Sequence, residues 1–305
     1  MKWPSPGQRH RLNIAKTSNS LEETAVPLIK RSGRPTLHYD VDDFTDPWKH
    51  APVMIMQHGF GRSSEFWYPW VPFVSRHFRV VRPNLRGFGQ SPVDFDTTTG
   101  YTAEGLLEDM LAVCDEVSPD RPVHYCGESI GGIIGIMLAA SNPQRLRTLS
   151  IISTPLTIPQ HTQTTFAFGH PTWQDAMRTM GSEAWADAAN ASSRFPPGAD
   201  AAMQKWYARE MGKSSVDSLV GLSYLAMKLD VRAQAAKIAT PTLGLYPGNG
   251  RITRFDEEMV RTTIPGIRMM LLPTEFHAVQ FLMARQCAKQ VLYFASQFDG
   301  VPCDE

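Results

Sequence analysis

Gly127-Glu128-Ser129-Ile130-Gly131-Gly132 sets one hydroxyl between glycines, after the apolar segment Pro122 to Cys126 and before the apolar run Ile133 to Ala140. An apolar run, Gly-x-Ser-x-Gly, then small and branched residues reads as strand, tight turn and helix. Ser129 stands at the turn. The turn holds it in a strained backbone conformation, and a side chain at Gly127 or Gly131 would collide with the opposing strand or helix. Such a turn lifts the hydroxyl clear of the sheet, with the Ile130 N–H and the positive end of a helix beside it. That placement suits a nucleophile.

The elements that must hold this turn follow from the apolar runs on either side. Pro52 to Gln57 reads as a strand covered on both faces and ends in His58-Gly59-Phe60-Gly61. Phe78 to Arg82 is a second buried strand, and Leu146 to Ser153 a third. Leu37 to Val41 alternates like an edge strand, and the acids of Asp42 to Asp46 read as turn and cap residues. Helical spacing from Thr102 to Val117 puts Leu106, Leu107, Met110, Leu111 and Cys114 on one face. Alternating strands and helices predict an α/β fold, a mostly parallel sheet with helices on both faces and a site at the carboxyl ends of the strands. From Pro155 to about Thr240 the pattern changes to helices rich in Met, Trp and Phe, too long for a loop. Strand character returns at Pro241 to Tyr246 and at Arg268 to Leu272, and a last helix runs from about Val279 to Phe298. The expected division is a polar arm over 1–35, a core over 36–154 and 241–299, and a helical lid over 155–240 inserted before the penultimate strand.

With 305 residues the chain can bury a sizeable core. Thirty basic residues balance thirty acidic ones, which argues against a nucleic-acid or anionic-membrane partner and for a small neutral or amphipathic molecule. The start, Met1-Lys2-Trp3-Pro4-Ser5-Pro6, lacks the apolar core of a signal peptide, and no stretch reaches the length of a membrane span. A soluble, cytoplasmic protein is expected, with a homodimer left open. Cys114, Cys126, Cys287 and Cys303 show no metal spacing; the first three read as reduced core thiols. No metal and no cofactor is expected.

Four segments in order, His58-Gly59-Phe60-Gly61, Arg86-Gly87-Phe88-Gly89-Gln90-Ser91, Gly127 to Gly131 and Glu275-Phe276-His277, together resemble the α/β-hydrolase fold from about Leu37 to Phe298. Asp42 to Trp48, Trp70-Val71-Pro72 and Arg82-Pro83 look more narrowly like lid-bearing bacterial hydrolases grouped with 3-oxoadipate enol-lactonase. The resemblance implies Ser129 as nucleophile, His277 as general base, and the N–H groups of Phe60 and Ile130 as oxyanion hole. His58 is read as shaping the oxyanion loop. A serine at the turn, where haloalkane dehalogenases and epoxide hydrolases of this fold carry aspartate, implies acyl chemistry.

One position departs from the pattern. The family's acid normally follows the strand at Pro241 to Tyr246, and here Gly250 stands there; the alternative place, Ser153-Thr154-Pro155, also lacks a carboxylate. Asn249, Glu128 and Glu275 are the candidates for a third member, and Asp256 is read as a helix cap. The expected activity is hydrolysis of a small to medium carboxylic ester or lactone through an acyl-enzyme. The rivals are carbon–carbon bond hydrolysis of a diketone, and a binding protein whose catalysis has decayed.

Overall fold

The computed structural model describes residues 27–158, 160–248 and 251–300. Its eight strands are β1 (Leu28–Ile29), β2 (Leu37–Asp42), β3 (Val53–Gln57), β4 (Arg79–Pro83), β5 (Val123–Glu128), β6 (Leu146–Ile152), β7 (Thr242–Pro247) and β8 (Arg268–Leu272). They form one sheet in the order β1-β2-β4-β3-β5-β6-β7-β8. β2 runs antiparallel to β1 and β4, and every pair from β4 across to β8 is parallel. The helices are α1 (Val71–Val74), α2 (Ala103–Val117), α3 (Ile130–Ser141), α4 (Gln160–Thr165), α5 (Trp173–Met180), α6 (Ser182–Ala189), α7 (Ala201–Gly212), α8 (Val216–Ala226), α9 (Arg232–Ala235), α10 (Arg251–Thr263), α11 (Val279–Leu282) and α12 (Ala284–Asp299).

β3 and β5 are buried along their whole length, as continuous apolar strands must be when both faces are covered. Alternate residues divide between two apolar clusters. Ile55, Tyr125 and Ile151 join Leu106, Met110 and Ile133 of α2 and α3. Met54, Met56, Cys126 and Ile152 join Trp70, Val291 and Phe294 on the other face, where α1 and α12 pack. Cys114, Cys126 and Cys287 are buried free thiols in these layers. Thr102 caps α2 by accepting the Gly105 N–H at 3.0 Å.

The segment between β6 and β7 carries six helices and a π-turn, Asn190–Arg194, between α6 and α7. Its two ends are tied together where the Val231 N–H donates to the Leu156 carbonyl at 2.9 Å. Trp185, Met177, Tyr207 and Met211 are buried among its helices; most of the aromatic and methionine content therefore serves packing. Among the described residues no helix is long and apolar enough to cross a membrane.

Three local expectations need revision. β2 is covered by β1 and is not the edge strand; β1 lies within the stretch read as a polar arm, where Arg31 also pairs with Asp109 and Arg34 with Glu108. Residues 1–26 of that arm lie outside the described residues. The last helix is interrupted at Met283, because the Trp70 indole takes the Gln280 carbonyl at 2.7 Å and removes it from the helical ladder. Asp256 stands one and a half turns inside α10 and is not its cap; burial pushes its carboxyl up to about 6.

Candidate active site

β5 delivers Ser129 directly into α3. Its backbone sits at φ 54°, ψ −119°, a conformation that costs a non-glycine residue about 1–3 kcal/mol. Two contacts enforce it: a Cβ at Gly127 would strike the Gly131 carbonyl, and a Cβ at Gly131 would strike the Gln57 carbonyl at the end of β3. The Ser129 N–H donates to the Ile152 carbonyl at 2.9 Å, which anchors the turn to β6. Ser129 Oγ makes no hydrogen bond among the described residues.

The loop after β3 arches over this turn. His58 is fully buried and both ring nitrogens are used: Nδ1 pairs with the Gly59 carbonyl at 2.9 Å, and Nε2 accepts the Leu85 N–H at 3.0 Å. Donor on one side and acceptor on the other fix the neutral tautomer. Burial pulls its pKa down to about 4, so His58 shapes the loop. Phe60 lies on the loop with its ring stacked on Trp173 at 5.5 Å and edge-on to Trp185 at 5.9 Å. No backbone carbonyl among the described residues takes up the Phe60 or Ile130 N–H.

Beneath the loop lies a buried charged cluster. A Cβ at Gly59 would meet Glu128 Oε2, Arg62 Nη1 and, at 3.0 Å, the Ser129 Cβ; these groups therefore share one small volume. Glu128 Oε2 pairs with Arg62 Nη1, and Arg62 Nε donates to the Tyr207 hydroxyl. His277 reaches the cluster from the loop after β8, where its N–H donates to the Ser193 carbonyl at 3.2 Å. Its Nε2 lies 3.4 Å from Glu128 Oε1. That is an ion-pair distance, and Oε1 makes no hydrogen bond among the described residues. Burial works against the Glu128 charge, but Arg62 and His277 outweigh it and hold the carboxyl below its usual range. Glu128 is thus an ionised, buried acid beside a half-buried histidine.

The structure sets Ser129, Ile130 and Glu128 against the loop that carries Phe60, and places His277 Nε2 against Glu128. It does not bring in Glu275, which is exposed and makes no ion pair among the described residues. Asn249 lies outside the described residues, as does Gly250. Arg62, Tyr207 and Arg194 are neighbours of the cluster that sequence reasoning missed; a lone arginine in a loop or in the insertion gives no local signal of burial, and Tyr207 reads only as one more aromatic of the insertion. No group of three or more His, Cys, Asp or Glu side chains that could hold a metal occurs among the described residues. A groove of about 970 Å³ lies within the insertion among Gly181, Glu183, Lys205 and Gly212, and none of these site residues lines it.

Comparisons with known proteins agree with this architecture. A family model described as the alpha/beta hydrolase fold matches residues 52–186, which spans both the His58 to Gly61 loop and the serine turn. The protein named carbamate hydrolase RutD of Stutzerimonas stutzeri is 26% identical over 219 residues, 68% of this chain and 76% of that one. A hydrolase from Pseudomonas aeruginosa superposes with a TM-score of 0.76 at 25% identity, covering 89% of this chain and 98% of its own. The enol-lactonase of Burkholderia xenovorans superposes equally well, TM-score 0.76 at 24% identity, over 88% of this chain and 100% of its own. With its strand order, its serine turn and these matches, the chain has the α/β-hydrolase fold.

Proposed function

We propose that this protein is a serine hydrolase that cleaves a carboxylic ester or lactone through an acyl-enzyme. The observation that carries the reading is the strained Ser129, set beside a buried carboxylate that faces His277. Ser129 Oγ attacks the carbonyl carbon, and His277 takes its proton on one ring nitrogen while Glu128 faces the other. The carbonyl oxygen, now negative, is received by the N–H groups of Phe60 and Ile130; losing one such donor typically costs roughly 100- to 1,000-fold in rate. His277 then returns the proton to the leaving oxygen, and water repeats the sequence on the acyl-enzyme.

Glu128 fills the role left open at Gly250. It lies next to the nucleophile in the chain rather than after a later strand, and Arg62 keeps it ionised. The helices between β6 and β7 act as a lid, their Trp173 and Trp185 closing over the Phe60 loop. Relatives named carbamate hydrolase and a structural neighbour named enol-lactonase support acyl-type hydrolysis.

The test is intact mass after exposure to a fluorophosphonate at neutral pH. One adduct is expected on the native protein and none on Ser129→Ala. A folded native protein that takes no adduct, or an adduct that persists in the variant, would refute the nucleophile.

A further inference from the structure

Arg194 is 5% exposed, yet no carboxylate lies within ion-pair distance of it among the described residues. Its Nη1 donates to Asn190 Oδ1 at 3.0 Å and to Met211 Sδ at 3.2 Å. The other guanidinium donors, Nε and Nη2, make no hydrogen bond among the described residues. Asn190 is fully buried as well, and its Nδ2 has no partner there. A guanidinium taken out of water costs several kcal/mol unless an anion compensates it. Among the described residues, the buried carboxylate whose charge acts on Arg194 is Glu128, already committed to Arg62. Two guanidinium groups therefore share one carboxylate, and the cluster carries an excess positive charge while His277 is neutral. Burial and the Arg62 charge pull Arg194 down to about 10, so it stays protonated at neutral pH.

The surroundings also describe the missing anion. The Arg194 guanidinium lies 5.9 Å from the ring centres of both Phe166 and Trp185. Trp185 in turn lies against Phe60 of the oxyanion loop. Ser193, the preceding residue, holds the His277 N–H. An anion on Arg194 would thus meet an aromatic wall one residue along the chain from the anchor of His277. Two adjacent guanidinium donors match the two oxygens of a carboxylate, and one excess positive charge calls for a monoanion. Resting on the serine hydrolase reading above, we propose that Arg194, with Asn190 beside it, binds a carboxylate carried by the substrate, so that the preferred substrates are esters or lactones bearing a second, ionised carboxyl group.

The experiment compares two esters of similar length, 4-nitrophenyl butyrate and the mono-4-nitrophenyl ester of glutaric acid. The native protein is expected to favour the anionic ester in kcat/KM. In Arg194→Gln the anionic-to-neutral ratio should fall roughly 10- to 100-fold, the range of a charged hydrogen-bonded contact, with most of the change in KM; Arg194→Lys should restore part of it. Equal losses on both esters, or no preference in the native protein, would overturn the subsite. Binding of monomethyl glutarate to folded Ser129→Ala, read by calorimetry with and without Arg194→Gln, is independent of turnover. Affinity that depends on Arg194 supports the subsite, and absence of binding overturns it. Failure of the serine reading would show separately, as no Ser129-dependent turnover of either ester.

Discussion

β5 carries a histidine–acid arrangement at each end, and the two are built differently. Near its start, His124 is buried with Nδ1 on the Thr148 hydroxyl at 2.8 Å and Nε2 on Asp299, which also pairs with Arg147. Every polar atom of that ring has a partner. At the other end, His277 is 30% exposed, and the Glu128 oxygen facing it at 3.4 Å makes no hydrogen bond among the described residues. The first arrangement ties the end of α12 to the sheet and leaves nothing over. The second keeps hydrogen-bonding capacity in reserve, at a cost of about 1–3 kcal/mol for a buried group left without a partner. Saturation marks a structural histidine; reserve marks one available to a reaction.

Glu128→Gln should break the open end most severely. Turnover is expected to fall on the order of 1,000- to 10,000-fold, as when a triad acid loses its charge, and unfolding should become easier by about 3–5 kcal/mol because Arg62 loses its partner. Replacing the pair together, Arg62→Leu with Glu128→Leu, should recover stability without recovering rate. A single variant that keeps its rate within tenfold would show that His277 does not need Glu128.

His58 sharpens the contrast, since it stands at the open end yet is saturated. Its pKa is about 4 in the fold against an ordinary 6.5. Between those values the unfolded chain binds the proton and the folded one does not. Stability is therefore full above pH 6.5 and declines as pH falls toward 4, by roughly 3 kcal/mol. Denaturant midpoints measured across that window should show the slope, and His58→Gln should flatten it.

The smallest effect is expected at the closed end. Asp299→Asn should lower stability by about 1–2 kcal/mol and leave kcat within twofold in a steady-state assay. A tenfold change in kcat would mean that the two ends of β5 are coupled through the strand.

Much of this arrangement was legible in the chain. Gly127 and Gly131 are dictated by backbone collisions that any such turn would create, and the apolar runs of β3, β5 and β6 announce strands covered on both faces. Glu128 was legible only as a candidate, because adjacency to Ser129 does not tell which way a side chain at the end of a strand will turn. The Arg62–Tyr207–Arg194 neighbourhood was not legible at all. Its members come from the chain after β3, α7 and the π-turn, and only the packing of the insertion on the sheet makes them neighbours. The break at Met283 depends likewise on one indole reaching from the distant Trp70.

The π-turn at Asn190–Arg194 has one further consequence. Its hydrogen bond spans five residues, from the Phe195 N–H to the Asn190 carbonyl at 3.3 Å, so this turn holds one residue more than the α-helix before it. The carbonyl that holds His277 and the guanidinium of Arg194 come from consecutive residues of that widened turn. Each residue advances a helix by about 100°, so deleting one would swing both groups away at once. The extra residue therefore acts as a shim: the proposed base alignment and the proposed anion recognition share one length of chain and cannot be tuned apart by changing it.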